Sequence, residues 1–183
     1  MSRMSDRIEL TDPQAYIAKL RNLVGDRDGL EVLAETPAAL SKLIDGVPAE
    51  TCRCRPFAEK WTPNEIIGHL IDTEWVFGYR TRSIACDDNP SIYGIDQEKW
   101  VNAQHYNECE ASDLVATFST LRSINLRFWK SLTPEQRQRR CQHNERGQEK
   151  LDTFMAFIPG HDLSHIDQLT RYLAAVETQA GKG

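Results

Sequence analysis

Two of the five histidines in this chain stand four residues apart, in His161-Asp162-Leu163-Ser164-His165. On a helix that spacing puts both imidazoles on one face, about 6 Å apart along the axis at 1.5 Å per residue. Both rings can then reach one cation, although two capped or surface histidines would give the same spacing. A third histidine, His69, lies inside an apolar pattern formed by Ile66, Leu70 and Phe77. A neutral imidazole facing a core needs a partner for each nitrogen, and a backbone carbonyl would serve as well as an ion. Three such rings from two neighbouring helices can satisfy that need together at one ion, with metal to nitrogen distances of about 2.0–2.1 Å.

Carboxylates accompany the histidines. Asp72 follows His69 by three positions and Asp162 follows His161 by one, so each is a candidate to accept from a ring nitrogen and fix its tautomer. A solvated acid on a helix surface is the plainer alternative for both. Glu74 is expected to point away from His69 and to pair with Arg80 or Arg82. His105 and His143 fall in polar sequence and are expected to be exposed. The four tryptophans are expected in the core, with Trp100 a candidate pocket wall, and Cys86 is the thiol nearest the His69 helix.

Three neutral imidazoles leave a divalent ion its full charge, which drives a bound water or thiol toward its anionic form. A hydroxide so formed hydrolyses, whereas a thiolate transfers to an electrophilic carbon. No Ser-His-Asp order, Gly-rich phosphate loop or basic aromatic face competes with this chemistry.

The elements that must position these residues are helical almost throughout. Tyr16, Ile17, Leu20, Leu23 and Val24 mark an amphipathic helix after Pro13, and a second runs from about Asp28 to Ile44, with a break or restart expected at Thr36-Pro37 and a stop at Gly46. Trp61-Thr62-Pro63-Asn64-Glu65 reads as a capped helix start, carrying the His69 helix to about Ala85. The stretch from Cys86 to Trp100 reads as a long ordered loop. A third long helix covers 111–131 with Ser112 as its cap, Thr133-Pro134-Glu135 opens a short helix, and Arg137 to Gly147 reads as polar connection. The last helix runs from about Leu151 to Val176, with a kink or restart expected at Pro159-Gly160. No stretch shows convincing strand alternation. Four long helices predict an all-α, antiparallel four-helix bundle with an extra N-terminal helix.

The 183 residues suit one domain, and 40% apolar content can build its core. With 22 basic and 27 acidic residues the net charge of −5 disfavours nucleic acid and anionic lipid as partners. Five scattered cysteines without a Cys-x-x-Cys pair fit a reducing interior, and no leader or membrane-spanning run is read, so a cytoplasmic protein is expected.

The pattern Trp61-Thr62-x-x-Glu65-x-x-x-His69-Leu70-x-Asp72-x-Glu74, then Arg80, Tyr93-x-x-Asp96-x-x-Lys99-Trp100, Leu132 to Glu135, and His161-Asp162-x-x-His165-x-x-Gln168 resembles the DinB/YfiT-like superfamily of bacterial four-helix bundle proteins. The likeness runs from about residue 28 to 175, with Pro159-Gly160 standing where the family usually has ordinary helix. It implies a DinB-like domain over residues 28–177, followed by a tail over 178–183; residues 1–27, an N-terminal extension, fall outside the likeness, and their helix is expected to pack along the bundle or a partner subunit. It also implies that His69, His161 and His165 are the ligands of a divalent ion, zinc or nickel. The activity it implies is thiol-dependent S-transfer, using a low-molecular-weight thiol, or hydrolysis of a small-molecule substrate, in a homodimer. A non-catalytic metal- or ligand-binding stress-response protein is the alternative. His161-Asp162-x-x-His165 also mimics a metallopeptidase layout, a reading set aside because its third ligand would have to come from upstream.

Overall fold

The computed structural model describes residues 13–180. Helix α1 (Pro13–Val24) leads to α2 (Gly29–Ile44), whose start is fixed by the Asp28 carboxylate accepting from Leu30 N at 2.7 Å. A short α3 (Ala49–Arg53) precedes α4 (Pro63–Cys86). At the head of α4 the expected cap is complete: Thr62 Oγ1 accepts from Glu65 N, and a Glu65 carboxylate oxygen accepts from Thr62 N at 2.8 Å. Reciprocal capping of this kind contributes about 1 kcal/mol and sets which residue begins the first turn. That choice sets the rotation of the whole helix, and with it the direction of His69.

The predicted loop after Cys86 instead contains strand β1 (Ser91–Ile92) and helix α5 (Gln97–Ala103), capped by Asp96. A 3-10 turn (Tyr106–Glu108) then leads into α6 (Ala111–Ser131). Its N-cap is Glu110, without a side-chain cap bond, so Ser112 lies within the helix rather than capping it. After α7 (Pro134–Arg137), the segment read as polar connection folds into β2 (Arg140–His143) and β3 (Gly147–Lys150), an antiparallel hairpin closed at Gly147 with φ +75°. β1 pairs with β2 in parallel, Ile92 opposite His143, giving a three-stranded sheet in the order β1-β2-β3. The strands escape sequence detection because they are short and polar; only Cys141, His143 and Glu149 of the hairpin turn inward.

The final helix, α8, runs unbroken from Leu151 to Ala180 across Pro159-Gly160. The expected restart is absent because both residues are docking points. A β-carbon on Gly160 would lie 1.9 Å from the Leu20 carbonyl oxygen, so α1 crosses α8 with its backbone against this glycine, and the Pro159 ring sits over Gly29 at the head of α2. Helix α2 is likewise continuous through Pro37. Proline leaves the carbonyl four residues back without its helical donor, and here that carbonyl, Leu33 O, accepts from Arg122 Nη1 at 2.9 Å instead.

Helices α2, α4, α6 and α8 make a four-helix bundle. α2 packs on α6 and α8, and α4 packs on the same two, so the first two long helices are diagonal partners rather than neighbours. α1 lies along α8 and adds Ile17 and Leu20 to the core. Buried apolar residues form two clusters, one holding Phe77, Phe154, Phe157 and Trp129, the other Trp61, Leu70, Phe118 and Tyr172. No helix among the described residues is long and apolar enough to cross a membrane.

Candidate metal centre

The seam between the two apolar clusters is where α4 and α8 meet and where the three histidines gather. His69 comes from α4, and His161 and His165 come from successive turns of α8; one ligand atom from each lies within 4.8 Å of the others. His69 and His161 are buried and His165 is half-buried, so the group opens toward solvent on the His165 side. Trp61, just before α4, covers His69 at a ring distance of 4.8 Å and stacks along His165 at 6.4 Å. On the other flank Phe77 meets His161 edge-on at 5.8 Å.

The nitrogens show what the cluster can hold. Nε2 of His69 and Nε2 of His161 stand 3.2 Å apart. Two ligand nitrogens on a tetrahedral ion with bonds of 2.0–2.1 Å are separated by about 3.3 Å, so the spacing matches the edge of such a site. Nδ1 of His165 donates to Gln168 Oε1 at 2.8 Å, one turn further along α8, which leaves the His165 Nε2 lone pair available. The Nδ1 atoms of His69 and His161 are buried without partners. Burial, reinforced by the neighbouring rings His165 and His161, holds His69 well below the usual histidine range. Burial and then His161 pull His165 down to about 3. Both rings are therefore neutral near pH 7, the form in which imidazole donates to a metal.

The two aspartates have different surroundings. Asp162 is buried, its Oδ2 accepting from Arg122 Nη1 at 2.7 Å and Thr36 Oγ1 at 2.9 Å, while Oδ1 lies 3.9 Å from Nδ1 of His161. Burial alone would raise this carboxyl, but Arg122 and then His161 hold it at about 2. Asp72 is held instead by the segment between α5 and α6. Its Oδ1 accepts from Tyr106 Oη at 2.7 Å and from Gln104 Nε2, its Oδ2 is buried without a partner, and burial raises its pKa against the pull of those two bonds. None of its hydrogen bonds goes to a histidine.

Other expectations need correction. Glu74 does point away from His69, but it pairs with buried Arg122 rather than with Arg80 or Arg82. His143 is buried in β2 instead of exposed, because the hairpin folds it against Phe154; His105 is exposed, as expected. Trp75 is 63% exposed, and Trp100 is partly exposed on α5, so only Trp61 and Trp129 of the four tryptophans are core residues. Trp61, at the helix start, supplies the aromatic cover of the histidines. The contribution of Arg122 has no local signature beyond a charge set between Leu121 and Ile124 in an apolar stripe.

The fold has known relatives. The four-helix bundle is similar to that of YfiT from Bacillus subtilis, described as a probable metal-dependent hydrolase with an unusual four-helix bundle topology. The TM-score is 0.73 at 19% identity, covering 84% of this chain and 86% of that one. No curated protein matches the chain. A family model for the DinB superfamily matches residues 33–169, which take in α4, the hairpin and all three histidines. With well over half its length inside that match and the bundle built as in YfiT, the chain belongs to the DinB superfamily.

Proposed function

We propose that this protein is a metal-dependent enzyme in which His69, His161 and His165 hold one divalent ion, zinc or nickel, and which hydrolyses a small-molecule substrate. The observation that carries the reading is the meeting of three imidazoles from α4 and α8, two of them with Nε2 atoms 3.2 Å apart. When bound, such an ion acts as a Lewis acid and lowers the pKa of a water or thiol that it holds. The description of YfiT as a probable metal-dependent hydrolase favours water as the nucleophile. The protein's own groups do the rest. Gln168 fixes the His165 tautomer, burial keeps His69 and His165 unprotonated, and Trp61 shields the rings from solvent on one side. Asp162 is the carboxylate placed to orient His161.

Thiol-dependent S-transfer uses the same site, and the two are separated by whether turnover needs a low-molecular-weight thiol. A homodimer is also proposed, through the outer face of α4 and α6. Trp75 and Tyr79, one turn apart on α4, are 63% and 68% exposed, and Ile124 on α6, the helix that α4 packs against, is 45% exposed. A cytoplasmic location is supported by five free thiols.

Elemental analysis of purified protein tests the core of the proposal, with about one zinc or nickel per chain expected. A panel of small esters, amides and model electrophiles, assayed with and without thiol before and after chelation, then sorts the chemistry. Metal-dependent hydrolysis without thiol supports the reading, a strict thiol requirement replaces it with S-transfer, and ligand binding without turnover replaces it with a binding protein.

A further inference from the structure

Arg122 has 1% of its surface exposed, yet it is a guanidinium at the centre of four helices. From α6 it reaches the other three. Its Nε and Nη2 donate to Glu74 Oε1 of α4 at 3.1 and 2.7 Å, and its Nη1 donates to Asp162 Oδ2 of α8 at 2.7 Å and to the Leu33 carbonyl of α2 at 2.9 Å. Asn125 completes the Glu74 side, donating to Oε2 and to the Glu74 carbonyl, each at 2.9 Å. Thr36 completes the Asp162 side, its hydroxyl 2.9 Å from Oδ2 and 3.1 Å from Val32 O, so its single proton goes to the closer and charged acceptor. Buried ion networks are weak grounds for stability, because apolar residues of similar volume often do as well. The position of this one in the core calls for another role.

The network has one side that faces the histidines. Both donors on Asp162 act on Oδ2, while Oδ1 is the oxygen nearest Nδ1 of His161, and that nitrogen is buried with no other partner. At 3.9 Å the pair stands beyond a direct hydrogen bond, and contact between them requires the imidazole to turn toward Oδ1. We infer that Arg122 and Thr36 are positioning residues for the metal centre: by occupying Asp162 Oδ2 they aim Oδ1 at His161 Nδ1, which keeps the proton there and turns Nε2 toward His69 and His165. Pro37 takes part at one remove, since it frees the Leu33 carbonyl that fixes Arg122 from behind. Glu74 and Asn125 touch no histidine and serve to anchor the guanidinium. This inference rests on the metal reading given above.

The asymmetry of the network supplies the test. Thr36→Val and Asp162→Asn alter the side that faces His161; Asn125→Ala alters the side that does not. Zinc affinity by chelator competition, the visible absorption of the cobalt-loaded protein and the melting temperature of the metal-free protein are measured for each. Thr36→Val and Asp162→Asn are expected to weaken zinc binding by about 10- to 100-fold and to shift the cobalt bands. Asn125→Ala is expected to lower the melting temperature with zinc affinity unchanged. Equal zinc affinity and equal cobalt spectra in all three variants, with melting temperatures alone reduced, would overturn the inference and leave the metal reading intact. Should Asp162→Asn fail to fold, Thr36→Val decides alone, because it removes a hydroxyl without stranding a charge. A wild-type protein that binds neither zinc nor cobalt overturns the metal reading and this inference together.

Discussion

Gly160 of α8 and Leu20 of α1 touch backbone to backbone: a β-carbon at residue 160 would meet the Leu20 carbonyl oxygen at 1.9 Å and its carbonyl carbon at 2.5 Å. The atoms in the way belong to main chain, so they cannot swing aside as a long side chain would. Within the Pro159-Gly160 pair, where the sequence predicts a kink or restart, the glycine is the residue that lets another helix lie against α8, one position before His161.

Gly160→Ala is therefore expected to destabilise the protein by about 1–3 kcal/mol, the usual penalty for forcing a methyl group into a filled space. Chemical denaturation should show it as a lower midpoint. An unchanged midpoint would mean that α1 is not held where the contact places it.

His165→Ala should abolish stoichiometric metal while leaving the bundle folded. His165 is only half-buried as a residue, whereas His69 is 2% exposed and His161 is 7% exposed, so truncating His165 disturbs the core least. Metal content per chain and far-ultraviolet circular dichroism together check this. A variant that keeps a full equivalent of metal would remove His165 from the ligand set.

His143 carries a pH dependence that involves no metal ligand. Burial, then the nearby Arg146 and Arg80, push it down to about 4 against the opposite pull of Glu149 and Glu145. The unfolded chain takes up a proton below about 6.5, whereas the folded protein resists until about 4. Its contribution to stability is thus complete above pH 6.5 and declines as pH falls toward 4. Urea midpoints of metal-free protein should drop between pH 7.5 and 4.5, and His143→Gln should flatten part of that slope. Identical slopes in the two proteins would show that His143 is not buried as described.

Trp75→Glu combined with Tyr79→Glu should convert the proposed homodimer to monomers without loss of helix. Both side chains already face solvent in the single chain, so the charges cost the fold little. Sedimentation equilibrium reads the outcome, and a wild-type monomer at all concentrations would dismiss the dimer.

Much of this molecule could be read from local pattern, and what could not depends on distant partners. Thr62, Pro63 and Glu65 announce the start of α4 because a capping box is a four-residue device, and His161 and His165 announce a shared face because a helical turn is a four-residue period. His69 stood out as an imidazole among Ile66, Leu70 and Phe77. By contrast Pro159-Gly160 and Thr36-Pro37 looked like breaks, since the contacts that make them tolerable come from Leu20 and Arg122, far off in the chain. The hairpin of β2 and β3 stayed hidden because its few inward residues include a cysteine, a histidine and a glutamate in place of branched apolar side chains. Asp162 and Asp72 looked equivalent beside their histidines. The bundle gives one to Arg122 and Thr36 and the other to Tyr106 and Gln104.

His69 and His161 are 92 positions apart along the chain. On the proposed reading, a cation gripped between them clips the second long helix to the last across that span, and because the three rings meet only in the folded bundle the ion stabilises the folded chain alone. Its contribution rises with the concentration of free ion relative to Kd. On that reading, starving a cell of the ion would do more than remove the proposed activity: chains left without it would open more often, meet proteases more often, and decline in number.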